Sequence, residues 1–420
     1  MDWNNVFLKN KFILYGMGIS NKEVEKFFIK NNINYIIVFE DLDILNNYVV
    51  IKSPGIPNDT MFLRKCRKLN LLIINDIELF YLLRNDIKYI GITGSCGKTT
   101  TCSILYTIIK EKYKVRLCGN IGIPIFSFIE EKLDYLIVEL SSYQLEYIDK
   151  FRVDYFIILN VYNHHLNHHQ TFNNYVNAKM SVIKNLSLDD TLIINDELNH
   201  YLRGRDIKCK VFAYSLSLKG DAYYEDTKLY FNNERIDISN IEYFKYEFNK
   251  ENFLSIFILM KLLMIDNALI IDKIRNYIGL PHRMEEIINN NDLIVINDSK
   301  STSFNSLNKA IDYCINNYDD YKLSIIIGGK TDIEEIRSNI SLIKKLNNYK
   351  TYCYGENKVL ISKILNTNYY QNLGDVIDNV NLSIKQVILF SPAAQSFDEF
   401  KSYEDRGEKF KELILKKLKN

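Results

Sequence analysis

Short apolar runs recur along this chain, and each of them is followed by a polar or glycine-containing turn. They occupy residues 11–15, 34–39, 49–51, 87–92, 134–138, 155–159, 191–195, 293–297, 324–327 and 387–390. Continuous apolar runs are typical of parallel strands whose two faces are covered by helices. Runs with helical spacing lie between them, at residues 22–30, 102–109, 173–184, 249–266 and 410–418, and residues 206–241 have the pattern of short β-hairpins. We therefore predict an α/β fold.

Two features of the sequence indicate where this fold divides. A phosphate-loop pattern begins soon after residue 86, and the glycine- and proline-containing stretch 279–283 has the composition of a domain boundary. With 420 residues, the chain is long enough for two or three domains. We predict three α/β domains, at residues 1–86, 87–279 and 280–420.

The amino-acid composition of the chain limits the classes of protein to which it can belong. A formal net charge of +1 gives no general attraction to nucleic acid. The seven cysteines include no C-x-x-C pair, so a reducing cytosol fits them better than a disulfide framework or a zinc ribbon. The N-terminus lacks the pattern of a signal peptide, and the most apolar run, residues 253–265, is too short to span a bilayer. We expect a cytoplasmic protein with no integral membrane segment and no nucleic-acid partner.

The clearest chemical signal is a glycine-rich turn between a predicted strand and a predicted helix. Residues 93–100 have the sequence T-G-S-C-G-K-T-T, a variant of the phosphate loop. The loop amides and the helix N-terminus would hold phosphate, Lys98 would reach the outer phosphates, and the Thr99 or Thr100 hydroxyl would bind Mg²⁺. We interpret the loop as a nucleoside-triphosphate site. The alternative is a Gly/Thr turn with one surface lysine.

Three further polar groups follow predicted strands. Glu139 would be a hard oxygen ligand for the same Mg²⁺, or else a solvated glutamate at a strand end. Gly16 and Gly18 form a G-x-G turn without the third glycine of a dinucleotide fingerprint, so a nucleotide-phosphate turn and simple tight packing both stay open. The Ser-Pro-Gly turn at residues 53–55 stands where parallel sheets bind ligands.

Four histidines stand close together in the chain, at His164, His165, His168 and His169. One interpretation is a zinc site, because imidazole is a favoured zinc ligand. The other is a polar loop with one functional histidine. No cysteine or paired carboxylate stands at a supporting spacing, so we favour the polar loop.

Several short motifs occur along the chain in a recognisable order. They are the phosphate loop, E-L-S-S-Y-Q-L-E at 139–146, Asn160-Val161 with His165, Ala178-Lys179, G-L-P-H-R at 279–283, N-D-S-K at 297–300, G-G-K at 328–330 and S-P-A at 391–393. Over nearly the whole chain this series resembles the Mur ligases of peptidoglycan synthesis, and among them the ligases that add D-glutamate. The stretches at 139–146 and 279–283 are specific to that group.

The resemblance implies an enzyme of three domains. These would be a Rossmann-like N-terminal domain for the UDP substrate, a central P-loop ATPase-type domain and a Rossmann-like C-terminal domain for the amino acid. The implied reaction is ATP- and Mg²⁺-dependent addition of D-glutamate to UDP-N-acetylmuramoyl-L-alanine through an acyl phosphate, and we expect a monomer. The alternatives are a related ligase with another amino acid or acceptor, and a nucleotide- or UDP-sugar-binding protein that has lost catalysis.

The resemblance also implies which residues form the sites. The catalytic residues would be Lys98, Glu139, His165 and Lys179, and the metal ligands Thr99, Thr100, Glu139, His165 and, if carbamylated, Lys179. ATP would be bound by Gly94, Ser95, Cys96, Gly97, Lys98, Thr99, Thr100, Asn249, Asn252, Arg283 and Asp298. The UDP substrate would contact Gly16, Met17, Gly18, Ile19, Ser53, Pro54, Gly55 and Asn120. D-Glutamate would contact Lys300, Thr302, Lys330, Ser396 and Tyr403.

The sequence departs from the family pattern around one of these residues. Residues 163–168 stand where the family usually has Glu-Asp-His-Met-Asp-Arg, so four charged side chains are replaced by neutral or weakly basic ones. The G-G-K turn at 328–330 is also two residues shorter than usual, and Tyr403 replaces a phenylalanine.

Overall fold

Three β-sheets organise the part of the chain that the computed structural model describes, residues 11–42, 47–120, 123–162, 166–217, 220–245, 247–277 and 279–419. The chain divides into two compact units, Met1–Tyr277 and Ile278–Asn420. Two of the sheets belong to the first unit and the third sheet to the second. The three domain boundaries inferred from the sequence stay a prediction.

The first sheet is a small parallel sheet near the start of the chain. Its strands are β1 (Lys11–Tyr15), β2 (Tyr35–Val38), β3 (Tyr48–Lys52) and β4 (Leu72–Ile74), and they lie in the order β2-β1-β3-β4. The helices of this region are α1 (Ile19–Lys30), α2 (Met61–Lys68) and α3 (Asp76–Leu83). Thr60 and Asn75 cap α2 and α3, because each side-chain oxygen accepts from a backbone amide of the first helical turn.

The second sheet is larger and mostly parallel. Its strands are β5 (Lys88–Thr93), β6 (Val115–Gly119), β7 (Tyr135–Glu139), β8 (Tyr155–Ile158), β9 (Thr191–Asn195), β10 (Lys210–Ser215), β11 (Ala222–Glu225), β12 (Lys228–Phe231) and β13 (Glu234–Asp237). They lie in the order β13-β12-β11-β10-β9-β8-β5-β7-β6. Strand β5 therefore lies between β8 and β7, and the connections diverge there, which is where α/β sheets form a ligand crevice.

Helices cover the second sheet on both faces. They are α4 (Lys98–Ile109), α5 (Ser142–Leu145), α6 (Leu166–His169), α7 (Phe172–Met180), α8 (Glu247–Leu262) and α9 (Asn267–Arg275), with 3-10 turns at Ile125–Phe128, Ser181–Asn185, Asp196–Leu202 and Glu242–Lys245. On one face, Ile104 and Leu105 of α4 and Phe257 of α8 pack with Ile90 and Ile92 of β5, all essentially without exposure. Each such side chain contributes about 1.5–3 kcal/mol through burial, and together they seat α4 against the sheet.

Two expectations for this region need correction. The helical pattern at 173–184 ends as an α-helix at Met180 and continues as a 3-10 turn, and the Ser181 hydroxyl there donates to the Leu145 carbonyl oxygen at 2.9 Å. Residues 206–241 are not all hairpin, because β10 pairs in parallel with both β9 and β11, and only β11, β12 and β13 pair antiparallel. Alternation within a strand is the same for both kinds of pairing, so the pattern alone does not distinguish them.

The third sheet forms the centre of the second unit. Its strands are β14 (Glu285–Asn289), β15 (Leu293–Asn297), β16 (Lys322–Gly328), β17 (Lys350–Tyr354) and β18 (Gln386–Phe390), in the order β14-β15-β18-β16-β17 with only β14 antiparallel. Its helices are α10 (Phe304–Asn317), α11 (Ile333–Ser338), α12 (Ile340–Lys345), α13 (Lys358–Leu365), α14 (Leu373–Asn379) and α15 (Tyr403–Lys419), with a 3-10 turn at Leu346–Asn348. Phe410 of α15 stacks on Phe390 with ring centroids 4.3 Å apart.

None of the helices in the described residues is long and apolar enough to cross a membrane.

Candidate nucleotide and substrate sites

The phosphate loop connects β5 to α4 at the carboxyl edge of the second sheet. Gly97 is the residue before α4 and has a φ of +86°, a left-handed conformation that glycine adopts without strain. A Cβ atom on Gly97 would lie 2.7 Å from Nδ2 of Asn252, a residue of α8. The backbone conformation therefore favours glycine here, and a Cβ would in addition displace the Asn252 side chain of α8. The first amides of a helix have no partner within the helix, so the start of α4 is suited to bind an anion.

Asn160, the second residue after β8, holds the phosphate loop in place. Its Oδ1 accepts from the Cys96 amide at 2.8 Å, and its Nδ2 donates to the Cys96 carbonyl at 3.1 Å. The Ser95 amide donates to the Asn160 carbonyl at 2.9 Å, and the Ser95 hydroxyl accepts from the Tyr162 amide at 2.9 Å. This network fixes the conformation of the phosphate loop.

Two lysines converge on one carbonyl oxygen of the loop. Lys98 Nζ lies 2.7 Å and Lys179 Nζ 2.8 Å from the oxygen of Gly94. Lys179, in α7, is only 2% exposed, and its Nζ also lies 4.6 Å from the Tyr175 ring centroid. Burial, followed by repulsion from Lys98, holds the pKa of Lys179 well below its ordinary value. The neutral amine is therefore favoured at this position.

Glu139 is the last residue of β7 and lies next to Ile92 of β5 in the sheet. Its side chain is buried, and Oε1 accepts from Asn120 Nδ2 at 3.0 Å. Among the described residues, Oε2 has no hydrogen-bond partner. A buried carboxylate oxygen without a partner is costly in free energy, and a bound cation would remove that cost. The donor atoms at this edge therefore fit a magnesium ion.

The structure describes four of the five predicted metal ligands. Thr99 and Thr100 lie in the first turn of α4, while Glu139 ends β7 and Lys179 contacts the loop. His165 lies outside the described residues, so its role stays a prediction.

Two turns of the first sheet lie together at its carboxyl edge. A Cβ on Gly18 would lie 2.6 Å from Ser53 Oγ, and one on Gly16 would lie 2.3 Å from Ile56 Cδ1. The turn that contains Met17 and Ile19 therefore faces the turn that contains Pro54 and Gly55. The side chain of Asn120, the remaining predicted substrate contact, instead donates to Glu139.

In the second unit, Asp298 lies directly after β15. The Ser391 hydroxyl donates to its Oδ2 at 2.8 Å, and the Met284 amide lies 3.3 Å from its Oδ1. Burial raises the pKa of Asp298 to about 7, although the hydrogen bond from Ser391 and the nearby Arg283 act in the opposite direction. Arg283 and Asp298, two predicted ATP contacts, are thus neighbours.

The predicted D-glutamate residues lie in loops at the carboxyl edge of the third sheet, except Tyr403, which is the first residue of α15. Lys300 Nζ lies 3.8 Å from the Tyr403 ring centroid, and Lys330 pairs with Gln395, the residue before the buried Ser396. Thr302 and Lys330 are exposed. Cationic and hydroxyl groups that ligands can reach are therefore present in these loops.

Comparison with known proteins identifies the family. A model of the Mur ligase middle domain matches residues 92–260. A UDP-N-acetylmuramoylalanine–D-glutamate ligase of Staphylococcus epidermidis is 32% identical over 377 residues, which cover 87% of this chain and 82% of that protein. This chain belongs to the UDP-N-acetylmuramoylalanine–D-glutamate ligase family. A further member of this ligase family, from Macrococcus caseolyticus, is 32% identical over 86% of this chain and 82% of its own length.

Solved structures show the same fold. A MurF ligase of Thermotoga maritima in complex with ADP superposes with a TM-score of 0.63 at 15% identity, covering 98% of this chain and 99% of that one. A UDP-N-acetylmuramate–alanine ligase of the same organism gives 0.62 at 16% identity, with the same coverage. The family and the three-domain α/β fold class expected from the sequence are confirmed.

Two buried cations of this ligase-family chain were missed by sequence reasoning. Lys52 ends β3 and is 1% exposed, its Nζ lies 4.8 Å from the Tyr147 ring centroid, and burial lowers its pKa to about 8. The sequence feature that could have indicated this residue is a lysine directly after the apolar run 49–51 and before Ser53.

Arg406 is the second of these cations, and it has no exposure. Its Nε lies 3.0 Å from Ser299 Oγ, and its Nη2 donates to the carbonyls of Ser299 at 2.7 Å and Ala394 at 2.9 Å. Arg406 therefore joins the loop after β15 to the loop after β18. Its signal in the sequence is an arginine four residues before Phe410, on the apolar face of α15.

Proposed function

We propose that this protein is an ATP-dependent ligase that joins D-glutamate to the L-alanyl carboxylate of UDP-N-acetylmuramoyl-L-alanine. Membership of the D-glutamate ligase family carries this proposal. The phosphate loop with Lys98, Glu139 and Lys179 at one sheet edge supports it, because a protein that had lost catalysis would not need to keep these groups.

The proposed chemistry has two balanced steps. The substrate carboxylate attacks the γ-phosphorus of ATP, and an acyl phosphate forms as ADP leaves. The amine of D-glutamate then attacks the acyl carbon, and the amide forms with loss of phosphate and a proton. Phosphorylation is needed because a free carboxylate is a poor electrophile. The protein contributes positioning and charge neutralisation.

The positions of the central residues support the roles proposed for them. The loop amides of residues 94–97 and the start of α4 bind the phosphates, and Lys98 exchanges its contact with the Gly94 carbonyl for the outer phosphates. Asn252 is close enough to Gly97 to contact the nucleotide beside the loop. Asn249, Arg283 and Asp298 are proposed as the remaining ATP contacts.

Magnesium is the proposed metal cofactor. Thr99, Thr100 and Glu139 would hold one ion. His165 would hold a second ion beside Lys179 in a carbamylated form. A bound Mg²⁺ neutralises charge on the transferring phosphoryl group. Two observations support these assignments. Oε2 of Glu139 has no hydrogen-bond partner within the described part of the chain, and the low pKa of Lys179 favours the neutral amine that carbamylation requires.

The UDP substrate is assigned mainly to turns of the first sheet, and D-glutamate to loops of the third sheet. Backbone amides of the turns at 16–19 and 53–55, with Asn120, would bind the UDP substrate, and Lys300 and Lys330 would pair with the carboxylates of D-glutamate. Thr302, Ser396 and Tyr403 would complete that pocket. We also propose that the enzyme acts as a monomer in the cytoplasm, where its nucleotide substrates are.

The decisive experiment measures phosphate release from purified protein with Mg-ATP and UDP-N-acetylmuramoyl-L-alanine, with D- or L-glutamate in parallel. We expect release only with the D isomer. Lys98→Ala should abolish it, whereas Lys110→Ala, just after α4, should not. Release with another amino acid would indicate a related ligase. ATP binding without any release would indicate a protein that has lost catalysis.

A further inference from the structure

One cluster of polar side chains is formed by Glu146, His168 and His169. None of the three is among the residues assigned to the ligase reaction. Glu146 directly follows α5, and the two histidines end α6. One ligand atom from each of the three lies within 4.8 Å of the others. Glu146 is 22 residues before His168, so the spacing of the histidines gave no sign of this carboxylate. The fold supplies the oxygen ligand that appeared to be absent from the sequence.

We propose that Glu146, His168 and His169 bind a divalent transition-metal ion, with zinc as the best match. Glu146 Oε2 lies 2.8 Å from His168 Nε2, and Oε1 lies 2.9 Å from His169 Nδ1. Two imidazoles and one carboxylate are a common protein ligand set for Zn²⁺, and a water molecule fills the fourth position.

The distances suit tetrahedral coordination after small movements. Zinc–nitrogen and zinc–oxygen bonds of about 2.0–2.2 Å place neighbouring ligand atoms about 3.4 Å apart. The observed separations, from 2.8 Å to at most 4.8 Å, bracket that value. The three side chains therefore already point their ligand atoms at one another.

Neighbouring groups orient both imidazoles. His169 Nε2 lies 2.9 Å from the Ser142 hydroxyl, which accepts the Nε2 proton when Nδ1 binds the metal. A hydrogen bond on the second ring nitrogen is what fixes the tautomer of a metal-binding histidine. The Tyr143 ring lies 4.2 Å from His168, and the Tyr175 ring lies 5.2 Å from His169, measured between centroids.

Charge and access also suit a cation. Glu146 is the acidic member of the cluster, and its two oxygens face His168 and His169. Lys52 opposes a cation electrostatically, and because burial lowers the Lys52 pKa to about 8, this opposition decreases only above that pH. The side chains of His168 and Glu146 are 12% and 19% exposed, so an ion can enter.

The ligand chemistry separates this cluster from the proposed magnesium ligands. Mg²⁺ prefers hard oxygen ligands in an octahedral arrangement, whereas imidazole nitrogen selects zinc and its neighbours in the first transition row. A zinc ion here would link the end of α5 to α6. Its effect is structural and does not depend on the ligase reaction, so the two proposals can fail separately.

The test is a titration of the full-length, tag-free protein with ZnCl₂ by calorimetry, with millimolar MgCl₂ present to occupy oxygen sites. We expect one zinc equivalent to bind, and His168→Asn, His169→Asn and Glu146→Gln each to weaken its binding by about 100-fold or more, since loss of even an outer-shell partner costs about 10–100-fold. His200→Asn is the matched control, because His200 is exposed and bonds to the Glu197 carbonyl.

A second readout reports the coordination itself. Co²⁺ in the same site should give the strong visible absorption of a four-coordinate ion, and each of the three substitutions, but not His200→Asn, should remove it. Zinc should also raise the Tm of the wild type and leave that of Glu146→Gln unchanged. If no zinc equivalent binds, or if all variants bind zinc as the wild type does, the cluster is only a hydrogen-bonded Glu–His group and the proposal is wrong.

Discussion

At the scale of single residues, Lys179 illustrates how burial changes the chemistry of a side chain. Its amine is enclosed between the Gly94 carbonyl and the Tyr175 ring, and its pKa is well below the ordinary value. A neutral amine reacts with CO₂ to give a carbamate and one proton. We predict that ¹³C-bicarbonate produces a carbamate signal in the NMR spectrum of the protein.

Two substitutions define that experiment. Lys179→Arg should remove the carbamate signal, because a guanidinium stays protonated. Lys110→Arg should leave it, because Lys110 is exposed and merely packs near Tyr106. A carbamate signal that survives in Lys179→Arg would assign the modification to another lysine.

Asp298 gives a second prediction at this scale. Its folded pKa of about 7 lies above the value of about 3.9 for an unfolded aspartate. Below about pH 4 the carboxyl is protonated in both states, and between about pH 4 and 7 only the unfolded state ionises. Stability from this group is therefore lost as the pH rises to 7, by up to about 1.4 kcal/mol per pH unit.

Denaturant unfolding of the wild type and of Asp298→Asn across pH 4.5–8 measures this effect. The free energy of unfolding of the wild type, relative to that of the variant, should fall as the pH rises towards 7 and level off above it. Asp312→Asn, on the exposed side of α10, is the control and should show a much smaller change. Parallel pH curves for the wild type and Asp298→Asn would contradict the prediction.

At the scale of elements, the phosphate loop depends on one glycine. Gly97→Ala places a methyl group 2.7 Å from Asn252 Nδ2 in addition to the strain of a φ of +86°. We expect the loop to shift and the affinity for Mg-ATP to fall at least about tenfold, since misfit of this kind costs about 1–3 kcal/mol. Calorimetric titration with Mg-ATP measures the loss.

The control variant Gly204→Ala distinguishes the effect of backbone strain from the effect of the steric clash. Gly204 also has a positive φ, +78°, but nothing lies within 4 Å of a Cβ placed on it. Gly204→Ala should therefore lower stability slightly and leave ATP affinity unchanged. Equal ATP affinity for Gly97→Ala and the wild type would mean that the amides at the start of α4 do not hold the phosphates.

At the scale of the whole molecule, the first compact unit contains two sheets, and the second contains one sheet with its own core. In the second unit, Val295, Ile326, Ile388 and Phe410 pack around the third sheet. We predict that residues 279–420, expressed alone, fold with a cooperative thermal transition by circular dichroism. The fragment 322–420 is the control, because it lacks β14 and β15 and should not fold. A disordered 279–420 fragment would show that this core depends on the rest of the chain.

The elements differ in how well the sequence predicts them. The strands Thr191–Asn195 and Leu293–Asn297 have the bounds expected from the sequence, because an apolar run of five residues between polar turns has the length of a strand and is too short for a typical helix. The end of α7 at Met180 and the parallel pairing of β10 were not predictable, since both depend on partners distant in sequence. The roles assigned to site residues stay predictions where no comparison tests them.

By itself the sequence determined the α/β class, the phosphate loop and the family, because strand patterns and turn chemistry are local properties of consecutive residues. Tertiary structure decided which distant groups meet. In the folded chain Lys179 is buried against the phosphate loop, and Glu146 contacts His168 and His169. Arg406 donates to backbone carbonyls of two loops. The physical reason is that burial, pKa and ligand geometry depend on neighbours in space, and those neighbours come from strands and helices far apart in the chain.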